Sequence, residues 1–279
     1  MKIISPFLAM LIFISCASGK EKSYTASTPG GAIVKTFLGI PLTDSVDFIR
    51  WKLTLSDNQY ELQCNYGIGK PGTNGFYNGG KSIEISGVLK KEKNTLQFQN
   101  GNRVLKVAEI NGDLLHLMDA ENNLLVGNGG WSYSLNNLTP SISDQISFTS
   151  KQSVLKDTMA FEGRTPCGVP GVIKSDQCYK LKWFLVLFAN SQKNEAGTYR
   201  VFGTGLRKEG GRTGSWKILN GKDGRIIYQL NDEKGNGLFY FVRLDENILA
   251  FTDAKGNLLV GDLDFSYTLN RTAFKILKS

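Results

Sequence analysis

Residues 111–136 read NGDLLHLMDAENNLLVGNGGWSYSLN, and residues 245–270 read DENILAFTDAKGNLLVGDLDFSYTLN. An offset of 134 aligns the two stretches without a gap. It pairs Asp119 with Asp253, Leu124-Leu125-Val126-Gly127 with Leu258-Leu259-Val260-Gly261, and Ser132-Tyr133 with Ser266-Tyr267. Upstream, Phe48 to Leu53 (FIRWKL) resembles Lys180 to Leu185 (KLKWFL) at an offset of 132. A near-constant offset over so much chain implies duplication of a whole domain rather than a shared motif. Only two copies occur and each is long, so the chain reads as tandem domains and not as a solenoid.

Each copy reads as strands. Ile49, Trp51, Leu53 and Leu55 alternate with Arg50, Lys52 and Thr54, a period of two with one apolar face. In the second copy Tyr179, Leu181, Trp183, Leu185 and Leu187 hold that face, and Phe184, Val186 and Phe188 make the other face apolar as well. A strand apolar on both faces is covered on both sides, so this outer face is expected to pack on the other domain or on a partner. Leu114 to Met118, the turn Asp119 to Asn123 and the return Leu124 to Val126 read as a hairpin. In copy two, Gly256 supplies the positive φ of the equivalent turn. Trp131, Tyr133 and Leu135, matched by Phe265, Tyr267 and Leu269, alternate in a closing strand. One short helix is expected after Pro29, across Gly30 to Leu38. Many strands with meander-like turns predict an all-β protein: two tandem small antiparallel β-barrels with little helix, closed so that no edge is exposed.

The first residues carry a different signal. Met1-Lys2 is followed by an apolar run from Ile3 to Ile14 and then by Ser15-Cys16-Ala17. The run has the pattern of a secretory signal and is too short to span a bilayer. A small residue before a cysteine resembles the bacterial lipobox, with Phe13 where the family usually has Leu. The expected organisation is a lipoprotein signal over 1–15, a lipidated tether over 16–26 beginning at Cys16, barrel repeat 1 over 27–138, a linker over 139–158 and barrel repeat 2 over 159–279. The partner this implies is a membrane, held through the lipid, in the cell envelope at the outer membrane. The formal net charge of +8 is scattered, apart from Lys90-Lys91-Glu92-Lys93, so no nucleic-acid signature is read.

The closing stretch, with Asp119 or Asp253 ahead of a Tyr-Ser/Thr-Leu strand, resembles the N-terminal domain of the copper-resistance and envelope-stress lipoprotein family NlpE. Phe161 to Cys167 (FEGRTPC) looks like that family's opening segment. The resemblance implies a lipocalin-like barrel and a role in copper handling or envelope sensing. The chain departs from the family at its C-x-x-C pair: Gly168-Val169-Pro170 follows Cys167, and the next cysteine is Cys178. Copper binding is therefore not carried over.

The remaining chemistry-bearing residues are few. Cys167 and Cys178 flank a Gly/Pro-containing loop in an exported chain, where a disulfide is permitted, with a metal or redox pair and free thiols as the alternatives. Copy one has Gly30 and Val46 at the aligned positions, so both cysteines are absent together, as expected of a bonded pair. Cys64 reads as a buried small residue on the face of Tyr60 and Leu62. His116, the single histidine, is expected to be solvated or turn-bonded, and with no Cys or His at zinc or copper spacing no metal site and no cofactor is expected. The same lack disfavours Ser-His-Asp and Cys-His chemistry, so no enzyme is expected. Asp119 and Asp253 read as turn-forming carboxylates, with a ligand carboxylate the lesser reading. Gly67-x-Gly69-x-x-Gly72 matches a dinucleotide pattern in spelling only. Asn137 and Asn270 spell glycosylation acceptors of little weight in a bacterial setting. Trp51, Trp183, Tyr133, Tyr267, Trp131 and Phe265 fill a core or line a pocket, the core being commoner. The expected function is non-enzymatic: binding a small apolar ligand or an envelope protein, or sensing envelope or copper stress. The alternative is a purely structural or adhesive surface lipoprotein with filled barrels. No ligand-binding residues are assigned at this point.

Overall fold

The computed structural model describes residues 21–140, 146–148, 154–172, 178–204, 206, 211–221 and 224–274. It contains two closed, eight-stranded antiparallel barrels in tandem. The first is built from β1 (Lys22–Pro29), β2 (Phe48–Ser56), β3 (Gln59–Gly67), β4 (Lys81–Glu92), β5 (Thr95–Asn100), β6 (Arg103–Asn111), β7 (Leu114–Met118) and β8 (Ser134–Asn137). One short helix, α1 (Ala32–Leu38), lies between β1 and β2. The second barrel holds β9 (Thr158–Thr165), β10 (Leu181–Asn190), β11 (Glu195–Gly203), β12 (Arg212–Asn220), β13 (Ile226–Asn231), β14 (Gly237–Arg243), β15 (Ile248–Thr252) and β16 (Thr268–Thr272). Each strand pairs with the next, and β8 returns to β1 as β16 returns to β9, so both sheets close on themselves. Closure leaves no unpaired edge for another strand to join. Residues 22–26, expected in the tether, belong to β1, where their pairing with β2 supplies the backbone partners that a tether would leave to water.

Alternation places the apolar set inside. Tyr24, Trp51, Leu53, Tyr60, Leu62, Phe98 and Leu135 are buried together in the first barrel, and Phe161, Trp183, Leu185, Tyr199, Phe239, Phe251 and Leu269 in the second. An eight-stranded barrel has an interior just wide enough for side chains to fill, and aromatics fill these two. The Tyr60 ring stacks 4.9 Å from Phe98, and Trp183 lies 4.9 Å from Phe251. The buried indoles are satisfied alike in both copies: Trp51 Nε1 donates to Thr28 Oγ1 at 2.8 Å and Trp183 Nε1 to Thr165 Oγ1 at 2.9 Å.

The β1–β2 and β9–β10 connections act as lids, and here the copies differ. In the first barrel α1 sends Val34, Phe37 and Leu38 into the core and ends at Gly39, whose φ of 75° forms the left-handed cap. In the second the lid is a loop that buries Val169. A tyrosine just ahead of each closing strand holds the lid: Gly31 N–H donates to Tyr133 Oη, and Tyr267 Oη donates to Cys167 O at 2.7 Å.

Three expectations need correction. The return segment Leu124 to Val126 does turn back as a hairpin, Asp119 N donating to Asn123 O and Leu125 N to Leu117 O, but for one bridge only, Met118 with Leu124, and Leu258 does the same with Thr252. The chain leaves the sheet there to reach the other barrel. The closing strands start at Ser134 and Thr268, so Trp131 and Phe265 lie outside the barrels. Finally, Phe184, Val186 and Phe188 on the outer face of β10 are not part of the cluster buried between the two barrels, although Val186 is itself buried. Phe184 lies 6.3 Å from Phe202 and Phe188 lies 6.4 Å from Phe274, both within the second half.

Candidate functional site

The surface between the barrels gathers most of the residues that the sequence repeats. Ala108, Ile110, Leu114, Met118 and Leu124 from the first barrel form one buried cluster with Val242, Leu244, Ile248 and Ala250 from the second, Leu258 packing against it. Ala108/Val242, Ile110/Leu244, Leu114/Ile248 and Leu124/Leu258 are all pairs at the offset of 134. The strands β7 (LLHLM) and β15 (ILAFT) are buried at every position, since one face meets the barrel core and the other the second barrel.

Hydrogen bonds obey the same relation. Gly261 N donates to Asn136 Oδ1 at 3.1 Å and Gly127 N to Asn270 Oδ1 at 2.7 Å, so one contact is the other with the two copies exchanged. Two pairs consist of a residue meeting its own equivalent: Ser134 Oγ lies 3.4 Å from Thr268 Oγ1, and Trp131 stacks on Phe265 at 5.0 Å with 4° between the ring planes. Such pairs define a pseudo-two-fold axis. The symmetry is incomplete: Asn136 Nδ2 donates to Asp262 O and Phe265 O, whereas Asn270 Nδ2 is buried without a partner. Trp131 also stacks on Phe48 at 4.6 Å, and Phe48 on Phe76 at 4.2 Å, extending a row of rings across the junction.

Beside the junction the outer wall of the first barrel is concave. A cavity of about 600 Å³ is bounded by β1–β4, Leu138 and the second barrel's Leu263 and Asp264. Two cross-strand rows form its floor. Ser27, Arg50, Asn65 and Ser82 lie side by side on β1, β2, β3 and β4, as do Thr25, Lys52, Gln63 and Glu84. The first row is committed: Ser27 Oγ donates to Asp264 Oδ1 at 2.9 Å, Arg50 Nε to the same oxygen at 3.1 Å, and Asn65 Nδ2 to Ser82 Oγ at 3.2 Å. Asn74 Nδ2 donates to Asp264 Oδ2 at 2.6 Å, completing a clamp on this carboxylate. The second row is free. Thr25 Oγ1 is buried with no hydrogen-bond partner, and Lys52, Gln63 and Glu84 make no side-chain hydrogen bond or ion pair among the described residues. The equivalent wall of the second barrel presents Phe184 and Phe202 where the first has Lys52 and Gln63.

The residues singled out in the sequence are placed as follows. Cys167 and Cys178 form a disulfide with Cα atoms 6.1 Å apart, within the second lid. Gly30 and Val46 occupy the same place in the first barrel, and a Cβ on Gly30 would lie 2.6 Å from Val46 Cγ1. Cys64 is a buried free thiol whose pKa burial pushes up. His116 is not solvated. It is fully buried at the junction, with Nδ1 2.8 Å from Ser134 Oγ and Nε2 2.8 Å from Leu125 O. The carbonyl can only accept, so Nε2 carries the proton and Nδ1 accepts from the Ser134 hydroxyl. Burial holds its pKa down at about 4, against a weaker opposing effect of the Leu125 carbonyl. Asp119 and Asp253 shape turns: each accepts from the backbone and side-chain amides of the asparagine four residues on, Asn123 or Asn257. The φ of Gly256 is 89°, and Asn122 takes the same left-handed conformation at 63°. Asn137 and Asn270 are buried and bonded, which rules out a glycan on either side chain in the folded state. Gly67 ends β3, and only a 3-10 turn at Tyr77–Gly79 follows Gly72. Cys16 lies outside the described residues. The wall rows escaped the sequence reading, because Lys52, Gln63 and Glu84 are ordinary outward residues until the register sets them abreast.

No family model matches this chain, and neither a curated protein nor a solved structure matches it.

Proposed function

We propose that this protein is a non-enzymatic lipoprotein of the cell envelope, anchored through Cys16, that binds its partner on the outer wall of the first barrel rather than inside either barrel. One observation carries the reading: the barrel interiors hold the protein's own aromatic side chains, while the concave wall keeps a row of four uncommitted polar groups, Thr25, Lys52, Gln63 and Glu84. A hydroxyl, an ammonium, an amide and a carboxylate at cross-strand spacing suit a polar partner such as an extended peptide segment or a glycan. The filled barrels equally favour the structural or adhesive reading over transport of an apolar molecule.

The test is site-specific photo-crosslinking in the bacterial envelope, with the probe at Gln63 and, as control, at Phe202. A discrete adduct at Gln63 that weakens in Lys52→Gln and Glu84→Gln supports the wall. No adduct at Gln63, combined with a small molecule retained in native mass spectrometry and lost on denaturation, would overturn it. The anchor is tested separately: Cys16→Ser should move the protein from the membrane to the soluble fraction.

A further inference from the structure

The contact between the barrels is not a meeting of two different surfaces. We infer that each barrel carries a complete self-complementary docking face, and that the partner this face fits is a second copy of the barrel, which the chain supplies to itself by duplication.

The apolar cluster, the amide latches and the pairs on the axis point this way; the clamp of Ser27, Arg50 and Asn74 on Asp264 is the one-sided addition, since Gly130 stands at the equivalent position of the first barrel. The cluster draws on equivalent positions from both sides, with Ala108, Ile110, Leu114 and Leu124 facing Val242, Leu244, Ile248 and Leu258. The amide latch occurs once in each direction, from Gly261 to Asn136 and from Gly127 to Asn270. On the axis, Trp131 meets Phe265 and Ser134 meets Thr268. In an isologous contact residue i touches j and j touches i, with self-equivalent pairs only on the axis. Two unrelated faces brought together by a linker have no reason to obey a constant offset in sequence. The face of one barrel can therefore accept another copy of itself: in a pair of first barrels, Asn136 of each would take the Gly127 amide of the other, and Trp131 would stack on Trp131.

The chain can be opened without touching either barrel. A protease site within residues 149–153, which lie between β8 and β9, nicks the full-length protein. The nicked protein is equilibrated in sub-denaturing urea, returned to buffer and weighed by native mass spectrometry, with circular dichroism reporting that both barrels stay folded. The expected result is three assemblies: the mixed pair, the pair of first barrels and the pair of second barrels. Only mixed pairs and monomers would overturn the inference.

Asn136→Ala gives the sharper reading. It removes one asparagine latch from the mixed pair, Oδ1 and Nδ2 contacts together, two such latches from the pair of first barrels and none from the pair of second barrels. With about tenfold lost per buried polar latch, the mixed pair should weaken about tenfold and the pair of first barrels about a hundredfold, while the pair of second barrels is unmoved. A mutation acting on the fold of the first barrel would also count once in the mixed pair and twice in the pair of first barrels, so the variant is weighed where circular dichroism shows its first barrel fully folded; an equal loss in both pairs would then refute the isologous contact. Asn270→Ala must give the mirror-image pattern, so a folding failure of one variant leaves the other as the test.

Discussion

Replacing Trp131 by Ala tests whether the junction is energetically real or a loose apposition. Trp131 is half-buried and sandwiched, with Phe48 at 4.6 Å on one face and Phe265 at 5.0 Å on the other. Stacked ring pairs are worth roughly 0.5–1.5 kcal/mol each beyond the area they bury. A fully buried Trp→Ala change costs about 3–5 kcal/mol, and a half-buried ring forfeits about half of that. Both routes put the loss near 2 kcal/mol, or roughly 4–8 °C in Tm for a cooperative unit of this size. The assay is urea denaturation followed by circular dichroism, on Trp131→Ala, Phe265→Ala and the double variant. The double-mutant cycle should return a coupling of about 0.5–1.5 kcal/mol, and unfolding should become biphasic as the barrels lose their common interface. A single-variant loss below about 0.5 kcal/mol with zero coupling would refute the reasoning and leave Trp131 a surface ring.

Two further outcomes follow from the buried groups. Removing the Cys167–Cys178 bond by double Ser substitution closes no lid loop in the unfolded chain and should cost about 3 kcal/mol for a separation of 11 residues; in protein starting at residue 17, Ellman titration should count one thiol after unfolding, from Cys64, and none before, since Cys64 is buried, whereas three thiols on unfolding would deny the bond. His116 has its folded pKa lowered to about 4, below the value near 6.5 of an unfolded histidine: above pH 6.5 both states are neutral, and as pH falls toward 4 the unfolded chain takes up a proton that the folded one does not, so stability declines by roughly 3 kcal/mol over that window. His116→Asn should flatten this acid slope relative to wild type, and an unchanged slope would show that His116 does not titrate there.

The barrels were legible because their signals are local. Period two around Trp51 and Trp183, the asparagine- and glycine-bearing turns after Asp119 and Asp253, and the short helix after Pro29 each depend on neighbours in sequence. The paired absence of cysteines at Gly30 and Val46 marks the disulfide in the sequence, because aligned copies must fill the same space. The outer face of β10, whose Phe184, Val186 and Phe188 read as a surface for the other domain or for a partner, is not part of the cluster between the barrels. The true signal was quieter: LLHLM and ILAFT are apolar on both faces over five residues, too short for alternation to register, and His116 disguised one of them as polar. The candidate wall was not legible at all. Lys52, Gln63 and Glu84 lie on three strands, and only the register of β2, β3 and β4 makes them a row.

The two copies have not diverged evenly, and the pattern says which surfaces are constrained by what. At the junction the offset of 134 survives as chemistry: asparagine against glycine amide in both directions, an aromatic against an aromatic on the axis, a hydroxyl against a hydroxyl. A symmetric contact constrains both copies at once, because each change is met by the opposite face. The lids differ, a helix in one barrel and a disulfide-closed loop in the other, yet each is held by its own tyrosine and fills its own barrel. The outer walls keep a basic residue at Arg50 and Lys182 but part beside it: Lys52 and Gln63 in one copy stand where Phe184 and Phe202 stand in the other. Neither pair is needed to fill a core, since both face outward. A wall released from packing and from symmetry is free to specialise, and that freedom is what directs the search for a partner to the polar wall of the first barrel and away from the barrel interiors.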